Sequence, residues 1–300
     1  MQPYEPSNKV PFLGLTLLFL ATLIGSLLLG YLIFAISKLF YLVFLFPIGA
    51  GLAGGYLIRL AVKSGKVRNP VVALIFGLLT GLLIYGTYTH ADYQSFTQDV
   101  YQQLLNSPEI ATSLKQSLTP AIAADLVLKY KTNTTGFWGY LKYVAKVGIK
   151  ISSFRHSSHP LTLNEFFSWF YLVIELLIYS LLAGMVAWSA AKEPFCEFCE
   201  KWYTEKTPIG TASIQLREAI IGAIENNDLK KAGELLTLNP VSMPRVDLFM
   251  QKCPNCQVAD IMLTVSEVFN SKKNEVKTKE LLQAMAEASC VREMIAMIKK

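Results

Sequence analysis

No cysteine occurs before Cys196, and no charge falls between Phe12 and Ser37. All five thiols, Cys196, Cys199, Cys253, Cys256 and Cys290, therefore lie in the tail that begins at Lys192. Reduced thiols belong on the cytosolic side of a membrane, so that tail is expected there. Several motifs are missing too. No G-x-x-x-x-G-K-[ST], H-E-x-x-H or G-x-S-x-G occurs, which leaves out a phosphate-binding loop, a helical zinc-protease site and a serine nucleophile elbow. An ATP-driven machine would need a separate subunit. Residues 192–300 hold 15 Lys/Arg against 15 Asp/Glu, so the tail lacks the electrostatic footprint of a nucleic-acid binder.

Apolar runs fill the space these absences leave. The chain has 300 residues, 52% of them hydrophobic. Runs at 12–37, 39–60, 70–90 and 166–191 are each long enough to cross a hydrocarbon core as a helix. The expected fold is a membrane all-α bundle of four transmembrane helices with a C-terminal cytosolic α+β domain. The first run is too long for the core of a signal peptide, and the leader before it carries only Glu5 and Lys9. Between the second and third runs, Arg59, Lys63, Lys66 and Arg68 meet no acidic residue, which marks that loop as cytoplasmic. Four crossings then put both termini in the cytoplasm of a cell inner membrane or plasma membrane, and residues 91–165 outside. The turn near Ser37 and Lys38 is so short that spans one and two form a hairpin, or one of them is re-entrant. Pro47 and the polar flank at Tyr41 suit either, and Pro47 is expected to kink its span. Small residues spaced four apart, Ser26 and Gly30, Gly51 and Gly55, Gly77 and Gly81, allow close helix approach.

Glu175 is the one charge within the fourth run. Intramembrane carboxylates face a bundle interior or a cavity. It is a protonated or hydrogen-bonded packing residue, a transport or relay group, or a residue of a span shorter or shallower than 166–191, with Tyr31, Tyr85 and Tyr88 as candidate partners. In the mostly helical loop, Phe96, Val100 and Leu104 form a helical stripe, and Thr119–Pro120 is a helix start. The tract after Lys131 reads as a turn carrying the acceptor pattern Asn133–Thr135. Lys142, Lys146 and Lys150 give 137–151 one basic face. That stretch is either an interfacial amphipathic helix or a short helix followed by a strand. His156 and His159 lie just before the fourth span.

In the tail, two C-x2-C pairs, Cys196–Cys199 and Cys253–Cys256, stand far apart. Each makes a knuckle, and two knuckles supply four thiolates for tetrahedral Zn2+. With flanking strands at 202–205 and 246–252, the pairs resemble a zinc ribbon. The resemblance implies a structural metal held by Cys196, Cys199, Cys253 and Cys256; the long spacer departs from the usual ribbon. A helical insertion at 211–240, its second helix capped by Asp228, would return the chain so that the knuckles meet. A strand from Ala259, a return strand over 275–279 and a C-terminal helix over 279–298, capped by Thr278, complete the domain. Cys290 falls in that helix as a small apolar residue.

Four thiolates leave no open position for catalysis, so the expected function is non-catalytic. The zinc module would serve as an assembly or partner-docking platform for a membrane protein or a second copy. Two alternatives stand beside it: a small oligomeric transporter, channel or lipid-handling protein using Glu175 and the glycine-rich helices, and a redox component using the CxxC pairs. The expected partners are the lipid bilayer and other copies or membrane proteins, without nucleotide or nucleic acid.

Overall fold

The computed structural model describes residues 4–39, 45–107, 117–151, 161–256, 259–271 and 275–299. The chain forms two compact units, Val10–Ala191 and Lys192–Lys300 with Met1–Lys9.

The first unit is helical. In chain order its main helices are α1 Phe12–Ser37, α2 Leu45–Ser64, α3 Pro70–Asn106, α4 Pro120–Thr132, α5 Gly136–Val147 and α6 Glu165–Ala191. Of these, α1, α2, α3 and α6 are long and apolar enough to cross a membrane. The α1 backbone widens into a π-helical turn at Ala21–Gly25. Around this turn, Thr22 accepts a 3.1 Å bond from the Thr80 hydroxyl, and Ser26 donates to the Thr80 carbonyl at 3.4 Å. Residues 40–44, with Tyr41, lie outside the described residues, so the hairpin and re-entrant alternatives stay open. Pro47 lies two residues after Leu45, the first described residue of α2, and is itself buried.

Asn69 starts α3 by accepting bonds from the Val71 and Val72 amides, with Pro70 in the first turn. The helix does not stop at residue 90. It runs 37 residues, roughly 55 Å at 1.5 Å per residue against a hydrocarbon core of about 30 Å. No glycine or proline follows Gly86 within it. The helical stripe of Phe96, Val100 and Leu104 is the continuation of α3, and its Val100 packs with Leu118 and Ala123.

Thr119 caps α4 by accepting from the Ile122 amide, and Asn133 ends it in the left-handed region at φ 56°. Asp125 accepts from the Gly136 amide at 2.8 Å, setting the start of α5. Gly148, at φ +86°, stops α5 after Val147. Lys150–Ile151 then pairs antiparallel with Leu161–Thr162 (β1 and β2). A helix through residue 151 is therefore ruled out in favour of the helix-then-strand alternative. His156 and His159 lie outside the described residues.

Against α6 the other helices come close because neither side carries bulk. A Cβ added at Gly77 would sit 2.7 Å from the Ala183 carbonyl oxygen, and one at Gly55 would sit 2.7 Å from the Val186 Cβ. Buried Tyr171, Glu175, Tyr179, Ala183, Ala187 and Ala191 recur at every fourth position along α6, which puts them on one face.

In the second unit, β3 Phe195–Cys196 and β4 Lys201–Trp202 form a small hairpin. A four-stranded antiparallel sheet follows in the order β5 Thr207–Ser213, β6 Arg245–Gln251, β7 Ile261–Asn270 and β8 Val276–Ala286. Helices α7 Arg217–Glu225, α8 Leu229–Glu234 and α9 Ala288–Met297 contribute to a single core with it, centred on Ile220, Ile224, Leu236, Leu248, Leu263 and Met294. Asp228 caps α8, accepting from the Lys231 amide.

Two expectations are corrected here. The helix over 279–298 does not form. Residues 276–286 are strand β8, and only Ala288–Met297 is helical. Leu282, Ala284 and Ala286 stand opposite Val265, Leu263 and Ile261 of β7, so pairing across the sheet overrides their helical propensity. Thr278 faces Val268 within the ladder and caps nothing. Likewise 211–240 is no plain helical insertion, since 207–213 is a sheet strand and Ala212, Ile220 and Leu236 belong to the common core.

Candidate metal centre

The first knuckle is built by β3 and β4. Cys196 pairs with Lys201 and Phe195 with Trp202, whose rings meet edge-on at 4.9 Å. The Tyr203 amide donates to the Pro194 carbonyl at 3.0 Å, closing the loop that holds Cys199. The chain then reaches straight to the other knuckle. The Thr204 amide donates to the Lys252 carbonyl at 2.9 Å, the Lys252 amide donates to the Thr204 hydroxyl, and the Gln251 side-chain amide donates to the Thr204 carbonyl. These bonds clamp the end of β4 to the end of β6, next to Cys253. The Tyr203 hydroxyl donates to the Asp260 carbonyl at 2.7 Å on the far side of the second pair.

The result is convergence. The Sγ atoms of Cys196, Cys199, Cys253 and Cys256 all lie within 4.8 Å of one another, with Cys196 and Cys256 at 3.7 Å. Tetrahedral zinc with bonds near 2.3 Å places its sulfurs about 3.8 Å apart, so the four thiols already have nearly the spacing of a metal site. Cys196 and Cys253 are buried, while Cys199 and Cys256 are half-buried.

Their protonation differs. Burial pushes the Cys196 thiol up, and with the neighbouring thiols it pushes Cys199 up to about 12. At Cys253 desolvation acts in the same direction but loses. The backbone N–H groups of Asn255 and Cys256, followed by the Cys196 and Cys256 thiols, hold it at about 7. Cys253 is nearer its thiolate than Cys196 and Cys199, which release protons as a cation arrives. On the outer side of the first knuckle, Ser7 and Lys9 both bond Glu197, at 2.6 and 3.1 Å. That pair is exposed and contributes little. Comparison with family models, with curated proteins and with solved structures gives no match. What the centre does must therefore come from its own geometry.

Glu175 lies in the other unit, 4% exposed. It lines a cavity of about 140 Å3 with Tyr85, Tyr88, Asp92, Tyr140 and Tyr171. Tyr31, expected near it, is 51% exposed and is not among the residues lining that cavity. Sequence reasoning misses Asp92 and Tyr140. The Tyr140 hydroxyl donates to one Asp92 carboxylate oxygen at 2.5 Å and Lys38 donates to the other at 3.2 Å. Burial, then the Asp92 carboxylate, raises the Tyr140 phenol above its ordinary value, so it stays a neutral donor. No local pattern announces this pair, because its members belong to different helices, α3 and α5.

Proposed function

We propose that the four cysteines hold a structural zinc ion and that the domain built on it is a non-catalytic docking or assembly module. Four helices that cross the bilayer carry it, and it faces the cytosol. One observation carries this reading: two C-x2-C knuckles, widely separated in sequence, bring four sulfurs within 4.8 Å. An all-sulfur, four-ligand set suits Zn2+ and leaves no position for substrate. Zinc stabilisation also suits a domain with a modest core of its own. The Arg59–Arg68 charge cluster supports the cytosolic orientation.

The test is metal analysis of the full chain purified in mild detergent under reducing conditions. One zinc per chain is expected, released with unfolding of the C-terminal domain when a chelator is added. Metal-free protein with disulfides within the CxxC pairs would replace this reading with the redox one. Labelling of cysteines in intact cells by a membrane-impermeant maleimide would overturn the orientation.

The buried Glu175 cavity favours a second reading, a small oligomeric transporter. It predicts that Glu175→Gln abolishes solute-driven currents in proteoliposomes while the protein stays folded. Absence of any current in the unaltered protein would remove that alternative.

A further inference from the structure

Asp92 and Glu175 line one cavity of about 140 Å3, but they differ in what else they reach. Glu175 is 4% exposed. Counted from Glu165, it lies roughly 15 Å inside α6 at 1.5 Å per residue. The Asp92 side chain is 36% exposed and pairs with Lys38, the residue that follows α1. A charged pair at a span end marks the level where the bundle meets water. Cavities that stay dry are apolar, and this one is not. Among the described residues the Tyr88 hydroxyl, on its wall, makes no hydrogen bond. The fully buried Tyr179 hydroxyl also lacks a partner among them. Tyr179 stands one turn past Glu175, its ring 5.5 Å from that of Tyr85 on the cavity wall. Helix side chains lean toward the N-terminus, so it points back toward Glu175. Water occupies about 30 Å3 per molecule, so roughly four fit the cavity.

At the other end the way is shut. A Cβ added at Gly51 would sit 3.1 Å from the Ile178 carbonyl oxygen, and one at Gly81 would run into the Tyr179 backbone. From α1 and α2 the residues packed around Tyr179 are Leu29, Ile33, Phe46 and Ala50, none of them titratable. The titratable neighbours of Glu175 are Tyr85, Tyr88 and Asp92 of α3, Tyr140 of α5, and Tyr171 and Tyr179 of its own helix, with Lys38 behind Asp92. We propose that Glu175 is a proton-binding site reached by water only from the end of the bundle where residues 91–165 lie, with Asp92 as its entrance. A proton taken up by Asp92 passes over the cavity waters to the Glu175 carboxylate. Each water gives one proton as it receives another. One hydronium is consumed, one carboxyl O–H forms on Glu175, and Asp92 returns to its starting state. Tyr140 is a positioning residue that holds Asp92 through its hydroxyl. This deepens the transport reading by naming the proton as its ion and rests on α6 crossing the bilayer; the zinc module plays no part. The rival is a dry Glu175 that keeps its proton permanently.

The experiment uses the full chain with a C-terminal affinity tag, reconstituted in phosphatidylcholine vesicles. Because α6 separates the tail from residues 91–165, tag capture sorts the vesicles by the end that faces out. Dicyclohexylcarbodiimide crosses bilayers and adds to protonated carboxyls, and mass spectrometry locates the adduct. With the lumen buffered near pH 8, lowering the outside to about pH 6 should raise Glu175 labelling severalfold in uncaptured vesicles and leave it unchanged in captured ones, since only a protonated carboxyl reacts. Asp92→Asn should slow the rise after a pH jump severalfold, and Tyr140→Phe should slow it less. Labelling indifferent to pH would assign Glu175 to the permanently protonated state and overturn the proposal. So would equal responses from both vesicle classes, a response from captured vesicles alone, or no adduct at Glu175. An unchanged rate in folded Asp92→Asn would overturn the entrance; if that variant does not fold, the sorted vesicles of the unaltered chain decide alone. One-sided labelling without any solute-driven current removes the transport reading and leaves this inference standing. Currents without pH-dependent labelling remove this inference alone.

Discussion

The two units join residues distant in sequence by opposite means. In the helical unit, α2 and α3 approach α6 because Gly55, Gly77 and Ala183 leave no side chain in the way. There the binding principle is absence of bulk, repeated along the helix. In the C-terminal unit, two knuckles meet across the long spacer from Cys199 to Cys253 because β4 is clamped to β6 and four sulfurs converge. Closing a loop of that length costs on the order of 3–4 kcal/mol beyond a constant term. A structural zinc site supplies roughly 10–16 kcal/mol, so one ion outweighs the closure entropy several times over. Many weak, distributed contacts hold the first unit, and one strong, localised contact is available to the second.

That contrast predicts where single substitutions hurt. The largest effect is expected at Cys253→Ser. Loss of one thiolate in four should lower zinc affinity by on the order of 3 kcal/mol, roughly a hundredfold. Competition against a chromophoric chelator measures it, and an unchanged affinity would mean the centre is not what holds the domain. Acidification follows from the same chemistry. Binding requires thiolates, and Cys199 lies near 12 before metal arrives, so protons leave as zinc enters. The bound form is favoured at high pH and lost as pH falls. Affinity should drop by about tenfold per pH unit for each proton released, read from chelator competition between about pH 8 and 6.

The helical unit should respond more gently. Gly77→Val places atoms where the Ala183 carbonyl and Gly184 Cα lie 2.7 Å from the added Cβ. It should cost about 1–3 kcal/mol by overpacking, seen as a lower midpoint in a detergent denaturation series. Tyr140→Phe removes the bond to Asp92 and should cost about 0.5–1.5 kcal/mol by the same measurement. The smallest change reverses sign. A Cβ at Gly86 meets nothing within 4 Å, so Gly86→Ala should stabilise α3 by about 0.5–1 kcal/mol. If Gly77→Val and Gly86→Ala behaved alike, small residues would not be what lets these helices approach.

Much of this is legible residue by residue. The apolar runs, the Thr119 and Asp228 caps and the two cysteine pairs are local signals, and the structure contains a helix, a cap or a thiol of the cluster at each. The misreadings share one cause. Residues 279–286 look helical in isolation, but across β7 they meet Ile261, Leu263 and Val265 in the core. Membrane thickness suggests a break in α3 after residue 90, and no residue there supplies one. Asp92 and Tyr140 escape a reading along the chain because a carboxylate and a phenol on separate helices share no periodicity.

Chemical character is thus readable in one dimension: hydrophobic length, thiol spacing and the lone carboxylate of the fourth run depend on neighbours within a turn or two. Pairing is not. Which strand lies beside β7, which hydroxyl meets Asp92 and which thiols share one site depend on chain closure over long stretches of sequence. Those choices are made by burial and hydrogen-bond satisfaction in three dimensions, where competing local preferences are weaker than the packing that overrules them.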